Sequence, residues 1–179
     1  MPEPNGGAPD VEEAPEPGPL PTGPAAEGGA VADYKRPESV LVVIVTAAGE
    51  FLLLRRTWPV GFWQSVTGSL MRGETPRAAA IREVREETGI SAPAALIDLD
   101  HTERFAIPPR WRRSRYAPGV HYNCEHWFAL PLAQRRIVRL RPREHVEYRW
   151  LPAARAAAST GSWTNRLAIQ VVAGLIARP

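Results

Sequence analysis

The sequence predicts an α/β protein in which a mixed β-sheet is packed between helices. An apolar run with many β-branched residues fills positions 39–46, and this composition is typical of a strand buried on both faces. A helix with clear start and stop signals is predicted at 76–88, and Ala-rich stretches near 152–158 and 163–177 predict two more. Strands and helices are therefore interspersed along the chain, as in layered α/β folds.

The remaining predicted strands are shorter and are separated by turn residues. Gly49 and Glu50 form a turn after the first strand, so residues 51–56 are predicted to be the returning strand. A further short strand is predicted at 63–67 and ends at Gly68. Beyond the helix, strands are predicted at 120–130, 137–140 and 146–151.

The predicted helix at 76–88 has a complete set of boundary signals. Thr75 is a favourable N-cap because its hydroxyl accepts a hydrogen bond from an unpaired amide of the first turn. Pro76 occupies the first helical position, where a missing N–H costs nothing, and Gly89 is placed to adopt the left-handed conformation that ends a helix. The boundaries of this helix are therefore predicted more sharply than those of any other element.

The chain has 179 residues, which is enough for one ordinary domain and a tail. Residues 1–33 consist largely of Pro, Gly, Ala and Glu, and we expect them to be disordered because they have almost nothing to bury. The folded domain is predicted at 34–179.

Charge is distributed unevenly between these two parts. Residues 1–33 carry seven acidic residues and no Lys or Arg, so the domain holds all 22 basic residues but only 12 of the 19 acidic ones. A basic domain suits an anionic substrate such as a phosphate ester, although charge alone does not exclude nucleic acid or an acidic membrane surface.

The sequence also predicts a cytoplasmic protein without a membrane anchor. Cys124 is the only cysteine, so an intrachain disulfide is excluded. The first 33 residues lack the basic and apolar regions of a secretion signal. The longest apolar stretch, 167–177, is far shorter than the roughly 20 residues that a membrane span requires.

Three carboxylates on the predicted helix are grouped in one sector of its surface. At about 100° per residue, Glu83, Glu86 and Glu87 lie within roughly 100° of one another. Like charges at this spacing repel, and a divalent cation converts the repulsion into binding. Oxygen ligands without His or Cys favour Mg²⁺, with Mn²⁺ as a possible substitute.

An isolated acidic helix face is more often solvated surface than a metal site, but the surrounding residues follow a longer pattern. Gly68, Glu74, Arg82-Glu83-Val84, Glu86-Glu87 and Gly89-Ile90 stand at the spacing of the Nudix signature, and all nine specified positions agree. The chain therefore resembles the Nudix hydrolase family, whose fold is an α/β/α sandwich with a mixed sheet and whose members hydrolyse diphosphate linkages.

This resemblance implies roles for the signature residues. The metal ligands would be Glu83 and Glu87, with the backbone carbonyl of Gly68. The catalytic residues would be Glu86 and Glu87 as candidate bases, and Arg82 as the residue that orients the carboxylates. The implied reaction is metal-assisted attack of water on phosphorus, with a carboxylate accepting the proton.

Segments outside the signature are similar to one branch of the family, bacterial enzymes that release pyrophosphate from 7,8-dihydroneopterin triphosphate in folate synthesis. The matching segments are 34–37, 62–68, 115–120 and 162–166. By this resemblance Glu144 would be a third metal-site carboxylate. The implied substrate-binding residues are Lys35, Arg55, Thr67, Phe105, Ala106, Ile107, Pro108 and Ser162.

Several alternatives to a pterin triphosphate remain open. A (deoxy)nucleoside triphosphate or the 5′ end of RNA would suit the same chemistry, and the basic stretch 110–115 is the main support for RNA, although we interpret it as a solvated loop. A domain that senses a nucleotide without cutting it is disfavoured by the intact carboxylates. A zinc site at His121, Cys124 and His126 is disfavoured because 121 and 126 point to opposite faces of a strand.

Overall fold

The computed structural model describes residues 34–177. The predicted disorder of 1–33 lies outside this range. The elements are β1 (Glu38–Thr46), β2 (Glu50–Arg56), β3 (Trp63–Gln64), β4 (Val66–Ser69), α1 (Pro76–Thr88), a 3₁₀ turn (Pro93–Ala95), β5 (Ile97–Ala106), α2 (Pro109–Arg115), β6 (Tyr122–Leu132), β7 (His145–Pro152), α3 (Ala153–Ser159) and α4 (Trp163–Ile176).

One mixed sheet organises the domain, with the strand predicted at 39–46 near its centre. β1 pairs in parallel with β6 along its whole length, and antiparallel with β2 and β4. β5 extends the sheet beyond β6, and β7 and β3 pair with β2. Since β1 is paired on both sides and buried on both faces, it needs apolar residues at nearly every position.

The two faces of the sheet bury separate cores, which confirms the predicted α/β/α sandwich. Alternate residues of β1 point to opposite sides, so Val40, Val42 and Ile44 pack with α1. Leu41 and Val43 pack on the other side with α3 and α4. Residues at one end of the sheet therefore lie between α1 on one face and α4 on the other.

The predicted helix boundaries are confirmed. Helix α1 covers Pro76–Thr88, and the Thr75 hydroxyl accepts a hydrogen bond from the amide of Ala78 at 3.2 Å. Gly89 follows with φ 71° and donates to the Arg85 carbonyl at 2.9 Å. The signature carboxylates are therefore fixed on a helix whose two ends are both capped.

The strand predicted at 137–140 is wrong. These residues pair with no strand, although Val138 is buried against the core beside α1 and the Arg139 amide donates to the Thr88 carbonyl at 2.8 Å. Their apolar pattern reflects packing on the helix rather than sheet pairing.

Other differences concern edge and loop segments. The single strand predicted at 63–67 is divided into β3 and β4 at Ser65. Strand β5 was not predicted from the sequence, and the stretch 110–115, interpreted as a loop, lies within helix α2. Among residues 34–177, no helix combines the length and apolar content needed to cross a bilayer.

Candidate active site

Arg82 fastens the loop before α1 to the helix. Its guanidinium binds both carboxylate oxygens of Glu74, with Nε to Oε1 at 2.8 Å and Nη2 to Oε2 at 2.9 Å. The same group donates to Glu83 Oε1 at 2.6 Å and to the Ser69 carbonyl at 3.0 Å. A forked guanidinium suits this role because its geometry matches a carboxylate bidentately. Arg82 thus holds the Glu83 carboxylate between the helix and this loop.

Gly68 allows the Glu83 carboxylate to lie directly against the backbone of β4. A Cβ atom at position 68 would lie 1.9 Å from Glu83 Cδ and Oε1. No side chain fits there unless the carboxylate is displaced. The glycine is therefore required by close approach, and it brings the position 68 backbone next to a signature carboxylate.

Glu87 is the most deeply buried carboxylate of the group. Its side chain is 2% exposed, and its Oε2 atom has no hydrogen-bond partner. Burial raises the pKa of Glu87 well above its usual range, and the negative charges of Glu83 and Glu144 raise it further. The charge of Arg56 and the backbone amide of Thr67 oppose the shift. Ionising this carboxylate without a cation is therefore unfavourable.

Glu83 shares this environment to a lesser degree. Burial is the largest cause that raises the pKa of Glu83, and Arg82 opposes it through a hydrogen bond and its charge. Glu86 and Glu144 add further repulsion. Both inner carboxylates are therefore held in positions where a nearby positive charge stabilises their ionised forms.

His145 joins the cluster from β7, beside Glu144. One ligand atom from each of Glu87, Glu144 and His145 lies within 4.8 Å of the other two. The imidazole is 1% exposed and neither ring nitrogen has a hydrogen-bond partner. Burial, with the charge of Arg56, lowers the pKa of His145 to about 4, so the ring is neutral near pH 7. Sequence reasoning missed this residue; the available signal was a histidine directly after the implied ligand Glu144.

Glu86 and Glu144 occupy the outer rim of the cluster. Both are partly exposed, and Arg141 bridges them with Nη1 at 3.1 Å from Glu86 Oε2 and 3.2 Å from Glu144 Oε1. Arg82 lies 3.7 Å from Glu86. The structure therefore brings together all four predicted carboxylates, Glu83, Glu86, Glu87 and Glu144, in two layers that differ in burial.

Two further cationic side chains, Lys35 and Arg56, lie close enough to act on the cluster. Lys35 Nζ lies 3.4 Å from Ser69 Oγ. Burial and the charge of Arg115 lower the pKa of Lys35, whereas Glu83 and Glu144 oppose the shift. Arg56 acts electrostatically on both Lys35 and Glu87. The carboxylate cluster therefore has positively charged side chains beside it, and these suit a polyphosphate.

Arg55, predicted to hold substrate, does not lie with the carboxylate cluster. Its Nε pairs with Glu147 Oε2 at 3.0 Å. Arg55 is two residues after Leu53 on β2, so its side chain lies on the same face of the sheet, toward α3 and α4. The side chain of its neighbour Arg56 lies on the other face, near the cluster. Sequence reasoning therefore missed Arg56, because a period-two pattern does not say which of two adjacent arginines faces the site.

Other predicted substrate-binding residues lie at the same end of the sheet, on or near the face that packs against α4. Thr67 pairs directly with Leu41 and therefore shares its face, and Thr67 Oγ1 accepts a hydrogen bond from Gln64 at 3.0 Å. Ser162 stands at the N-cap of α4, with its hydroxyl 2.9 Å from that of Thr164. The two residues border the site on the side of the sheet opposite α1.

The remaining predicted contacts form the end of β5 and the turn after it. Phe105 and Ala106 are the last residues of β5, Ile107 is buried, and Pro108 immediately precedes α2. The Ile107 amide donates to the His121 carbonyl at 2.9 Å. This segment is thereby fixed beside β6 at the edge of the sheet.

The donor set fits a divalent cation. Carboxylates repel one another here, one buried oxygen of Glu87 is unpaired, and a neutral imidazole with two free nitrogens lies beside them. Carboxylate and carbonyl oxygens are ligands of Mg²⁺ and Mn²⁺, and imidazole nitrogen is accepted by the softer of the two. The arrangement can hold such an ion and present it to an anionic substrate.

Comparison with known proteins agrees with this arrangement. The profile of the family described as NUDIX domain matches residues 35–171. Dihydroneopterin triphosphate diphosphatase of Escherichia coli K12 is 48% identical over 141 residues, covering 76% of this chain and 92% of that protein. The Haemophilus influenzae protein of that name is 38% identical over 141 residues, covering 76% and 87%.

A solved structure extends the similarity to the fold. The E. coli dihydroneopterin triphosphate pyrophosphohydrolase superposes with a TM-score of 0.72 at 46% identity. The superposition covers 79% of this chain and 98% of that one. The likeness therefore extends over most of the chain and is not confined to the signature helix.

Proposed function

The chain belongs to the Nudix family of hydrolases, and we propose that it hydrolyses 7,8-dihydroneopterin triphosphate to the monophosphate and pyrophosphate with Mg²⁺ as cofactor. The observation that carries the proposal is the buried carboxylate of Glu87, which has one oxygen without a hydrogen-bond partner and lies among two other negative groups. The substrate follows from the relatives, which are 48% and 38% identical over most of their length and carry that activity in their names.

Glu83, Glu87 and Glu144, with the backbone carbonyl of Gly68, would hold the cation. Mn²⁺ would substitute for Mg²⁺ because both accept oxygen ligands. When bound, the ion neutralises charge on the diphosphate and acidifies a water molecule. Arg82, which binds Glu74 as well as Glu83, would keep Glu83 in place for this role.

Glu86 is the residue that we propose as proton acceptor from the attacking water. It remains partly exposed, so water reaches it, and Arg141 and Arg82 hold its carboxylate toward the cluster. Glu87 lacks such access because it is almost fully buried. This assignment separates the base from the innermost metal ligand, and it predicts a larger loss of metal affinity for a change at Glu87 than at Glu86.

Cationic residues at the mouth would hold the triphosphate. Lys35 and Arg56 lie near the carboxylates, where they also limit the repulsion between substrate and protein. Arg55 faces the opposite side of the sheet and would reach only the part of the substrate that extends there. The pterin would lie on that side, near Thr67, the turn at 105–108 and Ser162.

A substrate panel tests the proposal. Purified protein with Mg²⁺ is offered dihydroneopterin triphosphate, the common and oxidised nucleoside triphosphates, and triphosphorylated RNA, and the released pyrophosphate is measured. We expect kcat/KM for the pterin to exceed that for every other substrate. A higher value for a nucleotide or for RNA would assign the alternative substrate to the same active site, and cleavage of none of them would contradict the proposed chemistry.

A further inference from the structure

A further buried carboxylate, Glu125 on β6, lies outside the cluster described above. Its side chain is 5% exposed. Asn123, Glu125 and Trp127 alternate along the strand and share the face that packs against α3 and α4, since Trp127 belongs to that core. Glu125 is therefore on the opposite side of the sheet from α1, near the N-terminus of α4.

Glu125 is supplied with neutral hydrogen-bond donors but not with a cation. Trp127 Nε1 donates to Glu125 Oε2 at 3.2 Å, and the Thr164 hydroxyl donates to the same carboxyl group. Within residues 34–177, no Lys, Arg or His forms an ion pair with it. Burial raises the pKa of Glu125 to about 7. A carboxylate buried in this way costs stability, and no residue of the proposed hydrolytic machinery needs it.

The residue opposite Glu125 on β5 has its own partner. Glu103 pairs directly with Glu125 across the strands, and Glu103 Oε1 lies 3.0 Å from His101 Nε2. The charge of Glu103 also contributes to the raised pKa of Glu125. The two acids are therefore not equivalent, because only Glu125 combines burial with free acceptor capacity.

Asn123 and Phe105 extend the polar surface around Glu125. The Asn123 amide donates to Ser39 Oγ at 2.7 Å, which fixes its orientation. Phe105 pairs with Asn123 across the strands and so shares its face, and the ring is half-buried. The face thus offers a carboxylate, an amide and an aromatic ring close together.

We propose that Glu125 recognises the 2-amino-4-oxopyrimidine edge of the substrate's pterin ring. This edge presents two parallel N–H donors, the ring N–H and the 2-amino group, which match the two oxygens of a carboxylate as a guanidinium does. Each oxygen accepts more than one hydrogen bond, so the Trp127 contact leaves capacity for the ligand. The Asn123 amide would donate to the 4-oxo group, and Phe105 would pack on the ring.

The position of Glu125 relative to the phosphate site supports this assignment. The Thr67 side chain lies on the same sheet face as Glu125, whereas its backbone amide contacts Glu87 of the metal cluster. A substrate that crosses β4 at Thr67 would therefore reach both Glu125 and the carboxylate cluster. The inference rests on the proposed function for the identity of the ring, but the hydrogen-bond pattern is shared by guanine and is absent from adenine.

The experiment measures binding without metal, so that hydrolysis is not needed for the result. Fluorescent neopterin triphosphate is bound to the wild-type protein and displaced by GTP or by ATP. We expect GTP to compete about 10- to 100-fold better than ATP, in line with two hydrogen bonds to a charged group. In Glu125→Gln this preference should fall to within a few-fold, while the phosphate-dependent affinity for ATP is unchanged.

Glu103→Gln is the matched control, since it removes a carboxylate from the same face at the paired position. It should retain the preference for GTP over ATP. An unchanged preference in Glu125→Gln would overturn the proposal, and so would an equal loss in Glu103→Gln. If Glu125→Gln does not fold, the wild-type protein decides the question with ITP, which lacks the 2-amino group: equal affinities for GTP and ITP would overturn the proposal.

The outcomes for the two proposals are separate. A protein that binds neopterin triphosphate through Glu125 but does not cleave dihydroneopterin triphosphate contradicts the proposed function alone. A protein that cleaves it with unaltered base preference in Glu125→Gln contradicts the assignment of Glu125 alone.

Discussion

Two buried glutamates at one end of the sheet, Glu87 and Glu125, differ in how the protein treats their charge. Glu87 faces other carboxylates, and one of its oxygens has no partner. Glu125 is surrounded by the neutral donors Trp127 and Thr164. We propose that a cation completes the first environment and that a neutral N–H donor completes the second. Burial alone therefore does not identify the ligand of a carboxylate; the sign and type of its neighbours do.

The largest expected effect comes from Glu87→Gln. We expect kcat with Mg²⁺ to fall by at least about 100-fold, because an innermost metal ligand is lost. The metal-free protein should become more stable by about 1 kcal/mol, because the substitution removes a buried charge that repels Glu83 and Glu144. Steady-state kinetics and chemical denaturation in EDTA measure the two quantities. Near-normal kcat would refute the assignment of the metal site.

The next effect is steric and comes from Gly68→Ala. The added Cβ would meet the Glu83 carboxylate at 1.9 Å, so this side chain must move. We expect kcat to fall by about 10-fold or more, since small displacements of catalytic groups are costly. Gly174→Ala is the control: no atom lies within 4 Å of its added Cβ, and it should stabilise α4 by about 0.5–1 kcal/mol without affecting activity. Equal activities of the two variants would contradict the role of Gly68.

A pH-dependent effect of metal on stability is expected to be smaller. The pKa values of Glu83 and Glu87 are raised in the folded protein, so above the pKa of the unfolded chain the folded state binds more protons. The stability of the metal-free protein therefore falls as pH rises through this range. Because bound Mg²⁺ stabilises the ionised forms, the increase in Tm on adding Mg²⁺ should be larger at pH 8 than at pH 6. An increase that is independent of pH, or larger at pH 6, would argue against these two ligands.

The smallest effect is expected at the exposed rim. Arg141 pairs with Glu86 and Glu144 at 3.1 and 3.2 Å, but it is itself exposed. Arg141→Ala should change the free energy of unfolding by less than about 1 kcal/mol, as is usual for exposed ion pairs. We expect kcat to fall only a few-fold, because the orientation of Glu86 is loosened and no ligand is removed. A loss as large as that of Glu87→Gln would mean that the rim controls the chemistry.

The signature helix was predictable from the sequence because both its ends and its carboxylates are specified by residues within one short segment. Thr75 and Gly89 define its ends, and Glu83, Glu86 and Glu87 follow its period. The wrong strand at 137–140 shows the limit of such reasoning: Val138 is buried by packing on α1, and an apolar pattern does not distinguish that packing from sheet pairing. Strand β5 was missed because none of its residues is buried, so its identity depends on pairing with β6.

Site residues contributed by distant segments were also less predictable, because their positions depend on how the strands pair and pack. His145 comes next to Glu87 only when β7 pairs with β2. The choice between Arg55 and Arg56 depends on which side of β2 each faces near an irregularity in pairing with β7. Glu125 carries no motif, and its burial is set by Trp127 and α4. These features require the tertiary structure.

Uptake of a divalent ion by the carboxylate cluster is the central claim, and a titration with Mn²⁺ followed by EPR tests it most directly. Metal-free wild-type protein should bind Mn²⁺, Glu87→Gln should bind it at least about 10-fold more weakly, and Glu125→Gln should match the wild type. Equal binding by the wild type and Glu87→Gln, or an equal loss in Glu125→Gln, would contradict the account.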